Sequence, residues 1–515
     1  MITSLLEGGA QLDPNRIAVV CGSDRLTYGD LLRDTERAAA SLRSLGVARG
    51  DRVALCLENS REAVVSIFAV ARAGAVFVPV GRTIKAPKLK QIFNDCSPAA
   101  VIADARMRPV VDEALSAVSG VKALISVGEI GHQTVRTVSF NDLVAGGTTE
   151  SQLCREGIDL DLAALIYTSG SSGRPKGVML SHANILSATS SINSYLKNTP
   201  DDVILDVLPL SFDYGLYQLF LAVSSGARLV LEKTFVYPST VLELIARERV
   251  TAFPIVPTIA ALLARLDLGN HDLSSLRYIT NTGAPLPPAH IRFFRASLPH
   301  VSIFSMYGLT ECKRVSYLAP EEIDSRPDSV GHPMDNVEVF IADEQGALAA
   351  TGTGELVIRG SNVMQGYWAA PDDTARVLRP GRLAGQPLLY TGDRFRIDAQ
   401  GYMYFEGRLD DVIKSRGQRV SPKEVENVLY ELNGVIGAAV SGIPDEVLGT
   451  AVKARIVVDS AIPLTEQAVL RHCAARLEEF MVPTVVEFVD GLPLTDSGKI
   501  VRGPTNVGAM DDRAR

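Results

Sequence analysis

The chain has 515 residues, a formal net charge of -8, and 46% hydrophobic and 21% charged residues. That length exceeds one hydrophobic core of usual size, so two or more domains are expected. The acidic balance argues against nucleic acid or an anionic membrane surface as the main partner and points to a small molecule in an α/β enzyme. The cysteines (Cys21, Cys56, Cys96, Cys154, Cys312 and Cys473) are scattered without a C-x-x-C pair. They fit reduced thiols, not a disulfide framework or a zinc knuckle. Met1 to Pro14 has no apolar signal-peptide core, and no later segment is apolar for the length a membrane span needs, so a cytoplasmic location is expected.

After Thr27, Leu31, Leu32, Thr35, Ala38, Ala39 and Leu42 recur at helical spacing and stop at Gly46, which predicts an amphipathic helix. A strand from Arg52 to Leu57, a helix capped by Ser60 and ended by Gly74, and a strand from Val76 to Val80 make a βαβ unit. Similar alternation continues at Ala99 to Ala103, Ser224 to Leu231, Val241 to Phe253 and Leu276 to Ile279. The expected class is therefore α/β, a large multi-layer N-terminal domain with mostly parallel sheets. From about Val337 the texture changes. Gly-dense strands at Val337 to Ile341, Gly354 to Gly360 and Tyr402 to Phe405 predict a β-rich subdomain. The charged stretch Gly407 to Arg419 then leads into a helix near Ser421-Pro422. A boundary at Asp410 divides the chain into residues 1–409 and 410–515. The second part, with a helix from Thr465 to Phe480 and strands around Val440 and Val485, reads as a small α+β domain.

The apolar run Leu162 to Ile166 reads as a buried strand that opens into Tyr167-Thr168-Ser169-Gly170-Ser171-Ser172-Gly173-Arg174-Pro175-Lys176-Gly177. Glycines, hydroxyls and cations at that density can wrap N–H groups and positive charge around a polyphosphate. It is not a Walker A loop, because Pro175 separates Arg174 from Lys176 and Val178 follows Gly177. A flexible Gly/Ser connector is the plain alternative. Further along come Tyr307-Gly308-Leu309-Thr310-Glu311, Tyr390-Thr391-Gly392-Asp393, Gly407-Arg408-Leu409-Asp410-Asp411 and Asp496-Ser497-Gly498-Lys499. Alone, Thr310-Glu311 could cap a helix, Asp393 could be a surface turn acid, and Lys499 could be merely solvated.

In this order the motifs resemble those of the AMP-forming adenylating enzymes, the superfamily of acyl-CoA synthetases, peptide-synthetase adenylation domains and beetle luciferases. The likeness runs from Leu26-Thr27-Tyr28 and Ala73-Gly74-Ala75-Val76-Phe77-Val78-Pro79 to Lys499. It implies a two-step ligation: a carboxylate attacks the α-phosphorus of MgATP, then a thiol displaces AMP to give a thioester. It also implies that Thr168, Ser169, Gly170, Ser171, Ser172, Gly173 and Lys176 hold the β,γ-phosphates. Glu311 binds Mg²⁺ and Thr310 meets the α-phosphate. Gly283, Ala284, Pro285, Tyr307 and Gly308 surround adenine, Asp393 takes the ribose hydroxyls, and Arg408 is a second nucleotide contact. Lys499 bridges the two reacting anions. The small domain is implied to be mobile, turning about Asp410 to swap the lysine loop for the thiolation loop of Lys414, Gly417 and Arg419. Cys312 lacks a His partner and reads as an inert thiol, and His182 reads as structural.

Ser211-Phe212-Asp213-Tyr214-Gly215 falls where amino-acid-activating relatives carry Phe-Asp, whose carboxylate pairs with the substrate ammonium. A buried carboxylate is costly unless paired, which favours an amino acid, with a small or cyclic one such as proline expected. Asp213 as a helix cap is the alternative. Family spacing also places Tyr214, Tyr217, Ile279, Asn281, Met306, Arg314 and Val315 around the acid, with Arg314 either touching substrate or turned outward. The acceptor is expected to be phosphopantetheine on a free-standing carrier protein. Two other readings stand beside this one: an acyl-CoA synthetase passing a fatty or aryl acid to CoA, and a catalytically silent nucleotide-binding relative.

Overall fold

The computed structural model describes residues 1–128, 135–146, 157–169, 174–233, 235, 237–383, 385–409, 413–415, 418–445, 449–494 and 500. Helix Tyr28–Ser44 starts where the hydroxyl of Thr27 accepts from the Asp30 backbone and Asp30 returns a carboxylate to the Thr27 backbone. Ser60 likewise accepts from the backbone N–H of Ala63 and starts helix Arg61–Arg72. Strands Arg52–Cys56 and Val76–Pro79 flank helix Arg61–Arg72 and pair in parallel, which realises the expected βαβ unit.

Two sheets with parallel cores form the body. In an eight-stranded sheet, Arg52–Cys56 lies between Val76–Pro79 and Ala100–Asp104, and Leu162–Ser169 runs parallel to Val76–Pro79. A nine-stranded sheet contains Val203–Asp206, Arg228–Leu231, Ala252–Ile255, Tyr278–Asn281 and Ser302–Tyr307, successive neighbours pairing in parallel. Phe68 and Phe220, on helices Arg61–Arg72 and Asp213–Ser225, meet edge to face with centroids 6.2 Å apart. They belong to one continuous apolar core that reaches strands of both sheets. The β-rich subdomain is an antiparallel sheet built on Val337–Ala342, Gly352–Gly360, Leu388–Ile397 and Met403–Arg408.

Beyond these strands a separate apolar cluster forms around Ile413, Val420, Val425, Leu429, Val440, Ile456 and Val469. Its sheet pairs Val435–Asp445 with Gly449–Val458 and the latter with Val485–Phe488. The helix expected from Thr465 to Phe480 is shorter, spanning Glu466–Ala474, and a single 3-10 turn, Glu479–Met481, follows. Glu478 is already extended before that turn, Val482 is extended ahead of Pro483, and Met481 returns to the core. Lys423 Nζ donates to the carbonyl of Phe405 at 3.1 Å, and the rings of Tyr430 and His290 lie 5.7 Å apart, so this part rests against the body. Among the described residues no helix is long and apolar enough to cross a membrane.

Candidate active site

Several parallel strands end at one cavity of about 820 Å³. Pro79, Val80 and Gly81 reach it from strand Val76–Pro79, Tyr167 and Thr168 from Leu162–Ser169, and Leu309, Thr310 and Glu311 from the turn after Ser302–Tyr307. This is the carboxyl edge where α/β sheets collect ligands. The phosphate-loop motif is the turn of an antiparallel hairpin, with Thr168 opposite Lys176 and Ser169 opposite Pro175. Gly170, Ser171, Ser172 and Gly173 lie outside the described residues, as does the side chain of Ser169. Lys176 lines the cavity, pairs with Asp373 Oδ1 at 3.0 Å and sits 5.3 Å from the centre of the Tyr367 ring. Asp373 Oδ1 also takes Arg376 Nη1 at 3.1 Å.

On the nucleotide side, Asp393 and Arg408 are directly opposed on strands Leu388–Ile397 and Met403–Arg408. Arg408 Nη1 lies 2.8 Å from Asp393 Oδ1, and the Tyr307 hydroxyl donates to Asp393 Oδ2 at 2.5 Å. Burial and the Asp393 charge raise the Tyr307 phenol well above its ordinary range, so Tyr307 stays a donor. Gly392 takes φ +69° and donates its N–H to Glu355 at 2.9 Å, which turns the backbone beside Asp393. Gly308 is required for close approach, because a Cβ there would sit 2.0 Å from the carbonyl oxygen of Lys313. Gly283 adopts φ +88° at the start of the expected adenine wall Gly283-Ala284-Pro285.

The Tyr367 hydroxyl donates to Glu311 Oε1 at 2.8 Å. Among the described residues no group of three or more His, Cys, Asp or Glu could hold a metal ion. A cation here would rest on Glu311 with phosphate oxygens and water, a ligand set that suits Mg²⁺. The motifs did not single out Lys88, Glu355, Tyr367 or Arg376, all of which line the cavity. Tyr367 could have been noticed, since Gly366-Tyr367-Trp368 is an aromatic turn in a polar stretch. The rest carry no local signal.

The acid side departs from expectation. Asp213 begins helix Asp213–Ser225 and lines the cavity, but its charge partner is already in the chain. Lys313 Nζ donates to the Asp213 carbonyl at 3.0 Å and stands 3.8 Å from Asp213 Oδ2. The argument that this carboxylate awaits a substrate ammonium therefore loses its premise. Lys313 holds φ +62° and faces the Tyr214 and Tyr217 rings at 5.1 and 4.7 Å. Tyr214, Tyr217, Ile279, Asn281, Met306, Arg314 and Val315 are each no more than 4% exposed. Of the expected acid-pocket set only Asp213 reaches the cavity; the others pack behind it. Arg314 is turned inward, its Cζ 5.3 Å from the Tyr214 ring centre.

Lys499, Asp410 and Gly417 lie outside the described residues, as do the side chains of Lys414 and Arg419, whose backbones face each other across a short hairpin. Leu494 lines the cavity from the C-terminal part and bridges to Ile500. Cys312 is fully buried, and burial together with Glu311 raises its thiol well above the ordinary range, which agrees with an inert group. His182 accepts the Ile2 N–H at 3.3 Å and is buried, in keeping with a structural role.

Residues 6–368 match the family described as AMP-binding enzyme, and residues 424–499 match its C-terminal domain. The chain belongs to the AMP-binding enzyme family. A feruloyl-CoA synthase of Amycolatopsis is 34% identical over 500 residues, covering 96% of each chain. The anthranilate CoA ligase AuaEII, solved with anthranoyl-AMP, superposes with a TM-score of 0.89 at 27% identity, covering 97% of this chain and 95% of that one. Bacitracin synthase 3 of Bacillus licheniformis is 30% identical over 97% of this chain, which spans 8% of that protein. This family member is an AMP-forming acid–thiol ligase.

Proposed function

We propose that the protein activates a carboxylic acid other than an amino acid as its adenylate and passes it to CoA. The carrying observation is that Thr168, Lys176, Glu311, Arg408 and Asp213 line a single cavity, so phosphate-binding, metal-binding and acid-binding groups converge at one reacting centre. Positioning and charge neutralisation carry such a step. Thr168 and Lys176 with the loop between them hold the terminal phosphates. Glu311 holds Mg²⁺ against the α-phosphate beside Thr310, and Asp393 takes the ribose hydroxyls. Lys499 then neutralises the two anions as they approach. The small domain turns about Asp410 and brings the Lys414 to Arg419 loop to the site for thioester formation.

The Asp213–Lys313 pair moves the acid away from amino acids, and the CoA-ligase relatives favour CoA as acceptor. The second reading is a small amino acid such as proline passed to phosphopantetheine on a separate carrier protein. It keeps the support that Asp213 faces the cavity and that a bacitracin synthase matches nearly the whole chain. ATP–pyrophosphate exchange across aryl, alkyl, dicarboxylic and amino acids separates the two readings, with mass spectrometry of the thioester formed on CoA. Exchange with a non-amino acid and a CoA thioester is expected. Exchange confined to amino acids, with no CoA product, overturns the first reading in favour of the second.

A further inference from the structure

Arg314 is the residue that the adenylation chemistry leaves unexplained. It is 2% exposed, and its Nε and Nη1 are buried with no hydrogen-bond partner. Among the described residues no carboxylate lies within ion-pair distance of it. The Tyr214 ring lies near its guanidinium, but a ring face attracts a cation without accepting the in-plane hydrogen bonds of the fork. Its neighbour Lys313 is buried too and already engages Asp213. The other acid near Lys313 is Asp206, fully buried, and burial raises its carboxyl well above the ordinary range, toward the neutral form. Lys313 thus has a carboxylate beside it, while Arg314 has none among the described residues. A buried charge without a partner is unfavourable enough that a protein removes it or reserves it for a ligand.

Arg314 lies one ring behind the cavity. Phe212 and Asp213 line the cavity, Phe212 meets Tyr214 edge to face at 6.3 Å, and Arg314 stands against Tyr214. Asn281 Oδ1 and Thr282 Oγ1, on the strand end that carries the Tyr214 partner Thr280, are likewise buried without hydrogen-bond partners. We infer that the activated acid carries a second oxyanion at its far end, and that Arg314 is its receptor. The substrate class is a short dicarboxylic acid or another acid with a distal anionic group. One carboxylate is adenylated at the cavity while the other pairs with the guanidinium fork, and the Tyr214 ring turns aside to admit it. A neutral neighbouring hydrogen bond, from Tyr214 to Thr280, is exchanged for a charge-assisted bidentate one. This inference rests on the reading of the protein as an acid-activating ligase.

The test compares succinate and glutarate with butyrate, valerate, alanine and proline in ATP–pyrophosphate exchange and in ATP-dependent thermal stabilisation of the purified full chain. The dicarboxylates are expected to give the highest kcat/KM and the largest stabilisation. In Arg314→Met their advantage over the chain-matched monocarboxylates should fall about 100-fold, with monocarboxylate turnover retained. Arg314→Lys keeps the charge without the fork, should fall in between, and carries the same comparison if Arg314→Met does not fold. A monocarboxylate or amino acid as best substrate, or a dicarboxylate preference that survives in both variants, overturns the inference. Absence of exchange with every acid counts against the ligase reading instead. In that case dicarboxylate stabilisation lost in Arg314→Met still supports the anion site, and equal stabilisation of wild type and variant overturns it.

Discussion

The two walls of the cavity are built differently. On the nucleotide side, charged groups sit on strands with neighbours directly across a sheet: Asp393 opposite Arg408, and Lys176 opposite Thr168. These groups line the cavity or contact residues that do. On the acid side, Lys313 and Arg314 are sunk among Tyr195, Tyr214 and Tyr217, and one carboxylate meets the cavity. The first wall turns its charges toward the cavity. The second is core as much as site, so its charges bear on stability and on specificity together.

If that contrast is right, substitutions on the acid side should cost folding free energy while those on the nucleotide side cost affinity. The largest effect is expected for Lys313→Met, which leaves Asp213 uncompensated; a loss of about 3–5 kcal/mol in denaturant unfolding is expected. The double variant with Asp213→Asn should recover much of it. Equal losses in single and double variants would break the contrast. Next comes acidification, which probes one buried ring at the foot of the nucleotide hairpin, His182, and one against the C-terminal part, His290. Burial holds the His182 ring down to about 4, and His290 likewise, against an ordinary 6.5. Between those values the unfolded chain binds the proton and the folded one does not. Stability is therefore intact above about pH 6.5 and declines as pH falls toward about 4, on the order of 3 kcal/mol for each ring. Thermal melts across that range should show it, and His182→Gln should flatten part of the slope.

On the nucleotide side, Asp393→Asn should raise the KM for ATP about 10- to 100-fold while moving the melting temperature little. Steady-state kinetics checks this, and a large stability loss with unchanged KM would reverse the assignment. The smallest effect is expected at Asp373→Asn. It loosens Lys176 and Arg376 where both pairs are partly exposed, so less than about 1 kcal/mol of stability should change.

The nucleotide side was legible in the sequence because phosphate, ribose and metal chemistry demand particular side chains in a fixed chain order. Thr168, Lys176, Glu311, Asp393 and Arg408 were all expected at the site, and the fold brings them to one cavity or directly against it. The βαβ alternation and the Gly-dense strands were equally readable, since periodicity and caps are local properties. Asp373 and Arg376 were not, because their roles come from what the short helix Pro371–Val377 lies against. The overlong helix from Thr465 shows the same limit: spacing suggested continuation to Phe480, while the helix ends at Ala474 and the chain is extended at Glu478.

By itself, the sequence determined the α/β class, the order of the adenylation motifs, and the pairing of an ATP-handling body with a small C-terminal module. Only the tertiary structure decided what Asp213 pairs with and whether Arg314 points in or out. Asp213 and Lys313 stand 100 positions apart, and Arg314 meets Tyr214 from an equally distant turn. A charge partner brought from that far leaves no trace in local spacing, so the identity of a buried ion pair, and of a buried cation left without one, emerges only when the sheets are packed.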